Sequence, residues 1–138
     1  MRESSVTKVK LLYTGIRVTN IERSLVFYKQ ALGLTEIDRG TMSHGGVYVL
    51  LEDRDTKQRL ELNFYPVGSR FSTPFTLGEG LDHIGFLVDD LDGMIKELCA
   101  LGAKVVVDPW TEGKTRIAFL TDPDGNWIEI MQKPSLEA

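Results

Sequence analysis

Strict alternation of apolar and polar residues marks three stretches of the chain as strands. From Gln58 to Tyr65, Leu60, Leu62 and Phe64 take one face and leave Arg59, Glu61, Asn63 and Tyr65 on the other. From Leu81 to Val88, Ile84, Phe86 and Val88 oppose His83, Gly85 and Leu87. From Asn126 to Gln132, Ile128 and Ile130 oppose Trp127, Glu129 and Met131. A further strand is expected over Val9–Val18, with Tyr13, Gly15 and Arg17 sharing a face, and shorter ones over Thr35–Arg39, Gly46–Leu51, Lys104–Asp108 and Thr115–Thr121. The period changes to that of a helix where Ile21, Leu25, Tyr28 and Leu32 form one stripe. Thr19 and Glu22 have capping-box spacing at its start, and Gly33 suits its end. A second helix is expected from Leu91 to Leu101, started by Asp89-Asp90 and closed by Gly102, with Cys99 buried beside Leu98.

The series occurs twice. Gly15, Val18 and Ile21 match Gly85, Val88 and Leu91 at an offset of 70 residues. Ala31-Leu32-Gly33 matches Ala100-Leu101-Gly102 at 69, and Leu60-Glu61-Leu62 matches Ile128-Glu129-Ile130 at 68. Drift of one residue at a time is what loop adjustments produce, and the period is too long for a solenoid. The expected fold is therefore α+β, a single domain of two tandem βαβββ modules whose sheets curl around a cup. Module 1 covers about 8–66, a linker rich in Gly, Pro, Ser and Thr about 67–79, and module 2 about 80–132. Asp122-Pro123-Asp124-Gly125 reads as a turn, the loop holding His44 as exposed, and 133–138 as a frayed tail.

Composition narrows the function classes. With 138 residues, 42% apolar and 26% charged, the chain is an ordinary globular domain. A net charge of -4 supplies no basic footprint for nucleic acid. No apolar run approaches the length that spans a bilayer, and Met1–Ser5 lacks the apolar core of a signal peptide. A lone cysteine, Cys99, excludes an internal disulfide framework and fits a reducing cytoplasm.

Duplicated modules usually pack about a pseudo-two-fold axis, which sets matched positions against each other. The polar matches are Tyr13 with His83 and Glu61 with Glu129, all on the faces turned away from the core. A cup lined by an imidazole, two carboxylates, a phenol and the Arg17 guanidinium is a place for a divalent cation, which relieves the mutual repulsion of the carboxylates.

Tyr13-Thr14-Gly15-Ile16-Arg17-Val18, then Arg23–Tyr28, Leu60-Glu61-Leu62, Asp82–Phe86 and Asp122–Ile130 together resemble the vicinal oxygen chelate superfamily, the glyoxalase/bleomycin-resistance/dioxygenase group. The resemblance runs from about Lys8 to Gln132 and is strongest to its glyoxalase I branch, the lactoylglutathione lyases. It implies a lyase or isomerase acting on the hemithioacetal of a 2-oxoaldehyde and a thiol through a metal-bound enediolate. It implies one divalent ion (Ni, Zn, Co, Mn or Fe) on Glu61, His83 and Glu129, with Tyr13 where the branch has a first histidine. There the metal either takes a water or draws Tyr13 in as phenolate. Glu129 or Glu61 would act as general base. Arg17 aligns with an arginine that holds the glutathione carboxylate in that branch, although Tyr65 stands where a glutathione-contacting asparagine is expected; Asn63, Trp127 and Met131, on the same inner faces, are the other candidate substrate-binding positions, with packing of the inner wall as the alternative for Trp127 and Met131. The implied partners are a glutathione or other thiol adduct and a second copy of the chain. A metal-free binding protein of the antibiotic-sequestering kind, and an epimerase or dioxygenase on the same scaffold, are the alternatives.

Overall fold

The structure is a computed structural model that describes residues 12–41, 45–69, 81 and 83–135. His44, most of the expected linker and the last three residues of the tail lie outside these. Strands β1 (Thr14–Arg17), β2 (Thr35–Thr41), β3 (Val47–Glu52) and β4 (Arg59–Phe64) make one mixed sheet in the order β1-β4-β3-β2. Strands β5 (Ile84–Val88), β6 (Val105–Glu112), β7 (Thr115–Thr121) and β8 (Trp127–Gln132) make a second in the matching order β5-β8-β7-β6. In each, the first strand runs parallel to the last, and the other neighbours are antiparallel. The duplication expected from the 70-residue offset is thus present in the topology, and neither sheet closes on itself.

One apolar core binds sheets and helices together. Val49, Leu51, Leu62, Ala118, Leu120, Ile128 and Ile130 from the strands are fully buried with Phe27, Tyr28, Leu91 and Leu98 from the helices. Burying each of the larger side chains contributes about 1.5–3 kcal/mol, so the alternation in β4 and β8 fixes which face turns inward. That choice forces Glu61 and Glu129 to the opposite face.

Helix α1 begins as an α-helix at Ile21–Leu25 and widens to a π-helical turn over Val26–Ala31. Its N-cap is Asn20, whose Oδ1 accepts from the Arg23 N–H at 3.0 Å, not Thr19 as the capping-box spacing suggests. Thr19 is engaged elsewhere, as described below. Gly33, at φ +75°, lets the Leu34 N–H reach back to the Tyr28 carbonyl at 3.0 Å. Helix α2 (Leu91–Ala100) is capped by Asp90 as expected, and the Gln132 side chain accepts from the Leu91 N–H at 2.7 Å, tying its start to β8. Cys99 is exposed, because the buried positions of α2 are Leu91 and Leu98 and the next residue turns outward. Strand β6 continues past Asp108 through Pro109 to Glu112; as an edge strand with register shifts it tolerates the missing N–H.

Side-chain hydrogen bonds also tie the first half of the chain to the second. The buried Tyr28 hydroxyl donates to Asp122 Oδ2 at 2.8 Å, and Asp122 also accepts from the backbone N–H groups of Asp124 and Asn126. Asp124 Oδ1 accepts from the N–H and hydroxyl of Thr19 and from Arg23 at 3.1 Å. The turn expected over 122–125 therefore also ties the second half of the chain to Thr19, Arg23 and Tyr28 of the first. Helix α2 packs on the π-helical part of α1.

Candidate functional site

In the first sheet, register sets Gly15 beside Glu61 and Arg17 beside Asn63. Leu50 and Tyr48 of β3 are the partners of the same Glu61 and Asn63 from the other side. All six share the face opposite the core. Tyr13, 40% exposed, stands just before β1, with its phenol beside the Glu61 carboxylate. The Glu61 charge first, then partial desolvation, push the Tyr13 hydroxyl above its ordinary value and favour the neutral phenol. On the same sheet the Tyr48 hydroxyl donates to Asp38 at 3.2 Å and is pushed up chiefly by the Asp38 charge.

The second sheet repeats the plan. Gly85 lies beside Glu129 and Leu87 beside Met131. His83 stands just before β5, the counterpart of Tyr13, with Nε2 3.6 Å from Glu129 Oε1. This is ion-pair distance and longer than a hydrogen bond. Gly85 makes room here: a Cβ at this position would come within 3.4 Å of both Glu129 Oε1 and Met131 Cε.

The expected donors thus fall into two pairs, Tyr13 with Glu61 and His83 with Glu129. Among the described residues of one chain, no three His, Cys, Asp or Glu side chains cluster closely enough to hold a metal ion. Imidazole and carboxylate are suitable donors for a divalent ion of the Zn–Mn range, so the donor chemistry fits such an ion, while a single chain offers it in halves.

Two aromatic residues not assigned to the site from the sequence join this face. Phe119 of β7 is the direct partner of Glu129. Its ring lies 5.2 Å from the His83 imidazole at 88°, 6.0 Å from Trp110 at 12° and 5.7 Å from Trp127. Trp127 and Met131, expected on sequence to line the site, stand on this face, with Trp127 44% exposed. The alternation of Thr115–Thr121 could have located Phe119. Trp110 could not be placed, because two register shifts in β6 precede it.

No helix of the described residues is long and apolar enough to cross a membrane. The family model for the Glyoxalase/Bleomycin resistance protein/Dioxygenase superfamily matches residues 10–130. A lactoylglutathione lyase of Neisseria meningitidis is 35% identical over 132 residues, covering 92% of this chain and 93% of that protein. One from Pseudomonas aeruginosa is 31% identical, covering 87% and 80%. Among solved structures, a glyoxalase family protein of Bacillus cereus superposes with a TM-score of 0.78 at 16% identity, covering 97% of this chain and all of that one. A glyoxalase I mutant of Zea mays superposes with a TM-score of 0.74 at 22% identity, covering 91% of this chain and 45% of that one.

Proposed function

This chain belongs to the Glyoxalase/Bleomycin resistance protein/Dioxygenase superfamily, and we propose that it is a glyoxalase I-like lyase that isomerises the hemithioacetal of a 2-oxoaldehyde and a thiol to the thioester of a 2-hydroxy acid. The observation that carries this reading is the pairing of His83 with Glu129 on the inner face of one sheet, matched by Glu61 at the same place on the other. A protein that only sequesters an apolar ligand gains nothing from three ionisable groups in its cup.

Glu61, His83 and Glu129 would hold one divalent ion, with Tyr13 beside them. When bound, that ion would act as Lewis acid toward the negative charge that develops on oxygen as the carbon acid is deprotonated. Glu129 takes the proton from the carbon bearing sulfur and returns it to the neighbouring carbon, as base and then acid. Glu129 is favoured over Glu61 because the Glu61 charge already acts on the Tyr13 phenol, while the cross-strand neighbour of Glu129 is Gly85, which has no side chain to engage it. Arg17 and Asn63, side by side on the first sheet, bind the polar part of the thiol.

The two halves of the donor set are joined in a two-fold homodimer, in which the inner face of one chain's first sheet meets the inner face of its partner's second sheet. Residues 8–66 and 80–132 act as the two modules, and the single cysteine fits a cytoplasmic location. The test is the isomerisation of methylglyoxal–glutathione hemithioacetal by the purified protein, before and after chelation and with each of Ni, Co, Mn and Zn restored. Metal-restored turnover is expected. No turnover with any of these ions, or undiminished turnover after complete chelation, contradicts the reading.

A further inference from the structure

The residue ahead of the first strand in each half stands beside the carboxylate of the neighbouring strand, His83 beside Glu129 and Tyr13 beside Glu61. The two positions are equivalent, but their chemistry is not. An imidazole offers a lone pair, whereas a phenol at neutral pH keeps its proton and offers an O–H. The Tyr13 ring leans over Gly15: its Cε1 lies 3.9 Å from where a Gly15 Cβ would stand, and Asn63 Nδ2 lies 3.1 Å from the same point. Ring and amide therefore meet above one glycine, whose cross-strand partner is Glu61. Arg17 and Asn63 stand one inner-face position farther along their strands than Gly15 and Glu61, about 7 Å on. Tyr13 thus lies at the Glu61 end of this face, and at 40% exposure it is open to a ligand.

We propose that Tyr13 is a catalytic residue that donates a hydrogen bond to the substrate oxygen on which negative charge develops, and that it does not serve as a metal ligand. This rests on the glyoxalase I-like reading above, in which the polar part of the thiol lies along Arg17 and Asn63 and the reacting carbons lie at Glu61 and Glu129. When Glu129 takes the proton from the carbon bearing sulfur, the electron pair of that C–H bond forms the new C=C bond. The π pair of the neighbouring carbonyl then moves onto its oxygen. That oxygen accepts a hydrogen bond far more strongly than the carbonyl did, so a donor already in place stabilises the transition state more than the ground state. The phenol keeps its proton throughout, and the proton that moves is the one on Glu129. Gly15 permits the placement, since a side chain there would crowd the Asn63 amide and reach the Tyr13 ring.

The experiment compares wild type with Tyr13→Phe, each loaded with the ion that best restores turnover and each assayed for metal content. Turnover of methylglyoxal–glutathione hemithioacetal is read alongside calorimetric affinity for two probes. One is S-methylglutathione, which carries the thiol part alone. The other is a glutathione-linked hydroxamate, whose adjacent oxygens imitate the charged enediolate. Tyr13→Phe should keep its metal and lose about 10²-fold in kcat, the lower end of what one oxyanion donor supplies. It should bind the hydroxamate roughly tenfold more weakly, with affinity for S-methylglutathione unchanged. Loss of metal along with turnover would make Tyr13 a ligand, and equal weakening of both probes would make it a contact of the thiol carrier. A fall in kcat with unchanged hydroxamate affinity would make the effect structural, and an unaltered kcat would remove Tyr13 from the chemistry. Each of these outcomes overturns the inference while the lyase reading stands. If wild type turns over the hemithioacetal with none of the ions, the lyase reading fails and takes this one with it.

Discussion

His83 Nε2 stands 3.6 Å from Glu129 Oε1, one residue before a strand and mid-strand respectively, with both side chains partly open to solvent. No apolar packing requires a carboxylate there, because Ile128 and Ile130 on either side already serve the core. If Glu129 carries the proton, Glu129→Gln retains the shape and removes the base. Turnover should fall by about 10²-fold or more, while divalent-ion binding weakens but persists. Undiminished kcat in this variant would remove Glu129 from the chemistry.

The neutral state of Tyr13 beside Glu61 makes it a weak donor to any metal ion. Tyr13→His places an imidazole there and should tighten divalent-ion binding, whereas Tyr13→Phe should change it little. Calorimetric titration of the three proteins distinguishes a spectator phenol from a ligand. A loss of affinity in Tyr13→Phe comparable to that in a Glu61→Gln variant would make Tyr13 a ligand.

The Tyr28–Asp122 hydrogen bond predicts a stability effect remote from the site. Burial first, then the Asp122 charge and the hydrogen bond, push the Tyr28 hydroxyl well above its ordinary value of 10.0. The folded state therefore holds this proton more tightly than the unfolded chain. Its contribution is complete below about pH 10 and is lost as pH rises from there through the higher folded value. Tyr28→Phe leaves a buried carboxylate oxygen short of one donor and should cost about 1–3 kcal/mol at neutral pH. The variant should also show a shallower fall in stability above pH 10. Urea unfolding at a series of pH values checks both.

Much of this was legible in the sequence, and the exceptions share a cause. Alternation in β4, β5 and β8 is a local signal, and it located the core residues and the inner-face positions of Glu61 and Glu129. The offset between the halves anticipated the matching strand orders of the two sheets. What local pattern could not convey was non-local pairing. Thr19 has the spacing of a cap, but Asp124, 105 residues away, takes its hydroxyl and N–H, so the cap passes to Asn20. The extension of β6 to Glu112 depends on partners in β7, and so does the stacking of Trp110 on Phe119. The 122–125 turn was recognisable as a turn, but not as the anchor that receives Tyr28, Thr19 and Arg23.

A site shared across a two-fold axis has a specific consequence for mixtures. Glu61→Gln and Glu129→Gln chains should each be inactive alone. Refolded together, half of the dimers are mixed, and each mixed dimer has one site with both carboxylates intact. Activity should recover to about a quarter of wild type. No recovery in a mixture shown to contain mixed dimers would place each site within one chain.

The central claim is that Glu61, His83 and Glu129 serve one metal ion, and the most direct measurement is metal stoichiometry by equilibrium binding for wild type and His83→Ala. Wild type should take up about one divalent ion per chain, with the variant losing most of that affinity. Wild type that binds no divalent ion, or a His83→Ala protein that binds as tightly as wild type, would contradict the account.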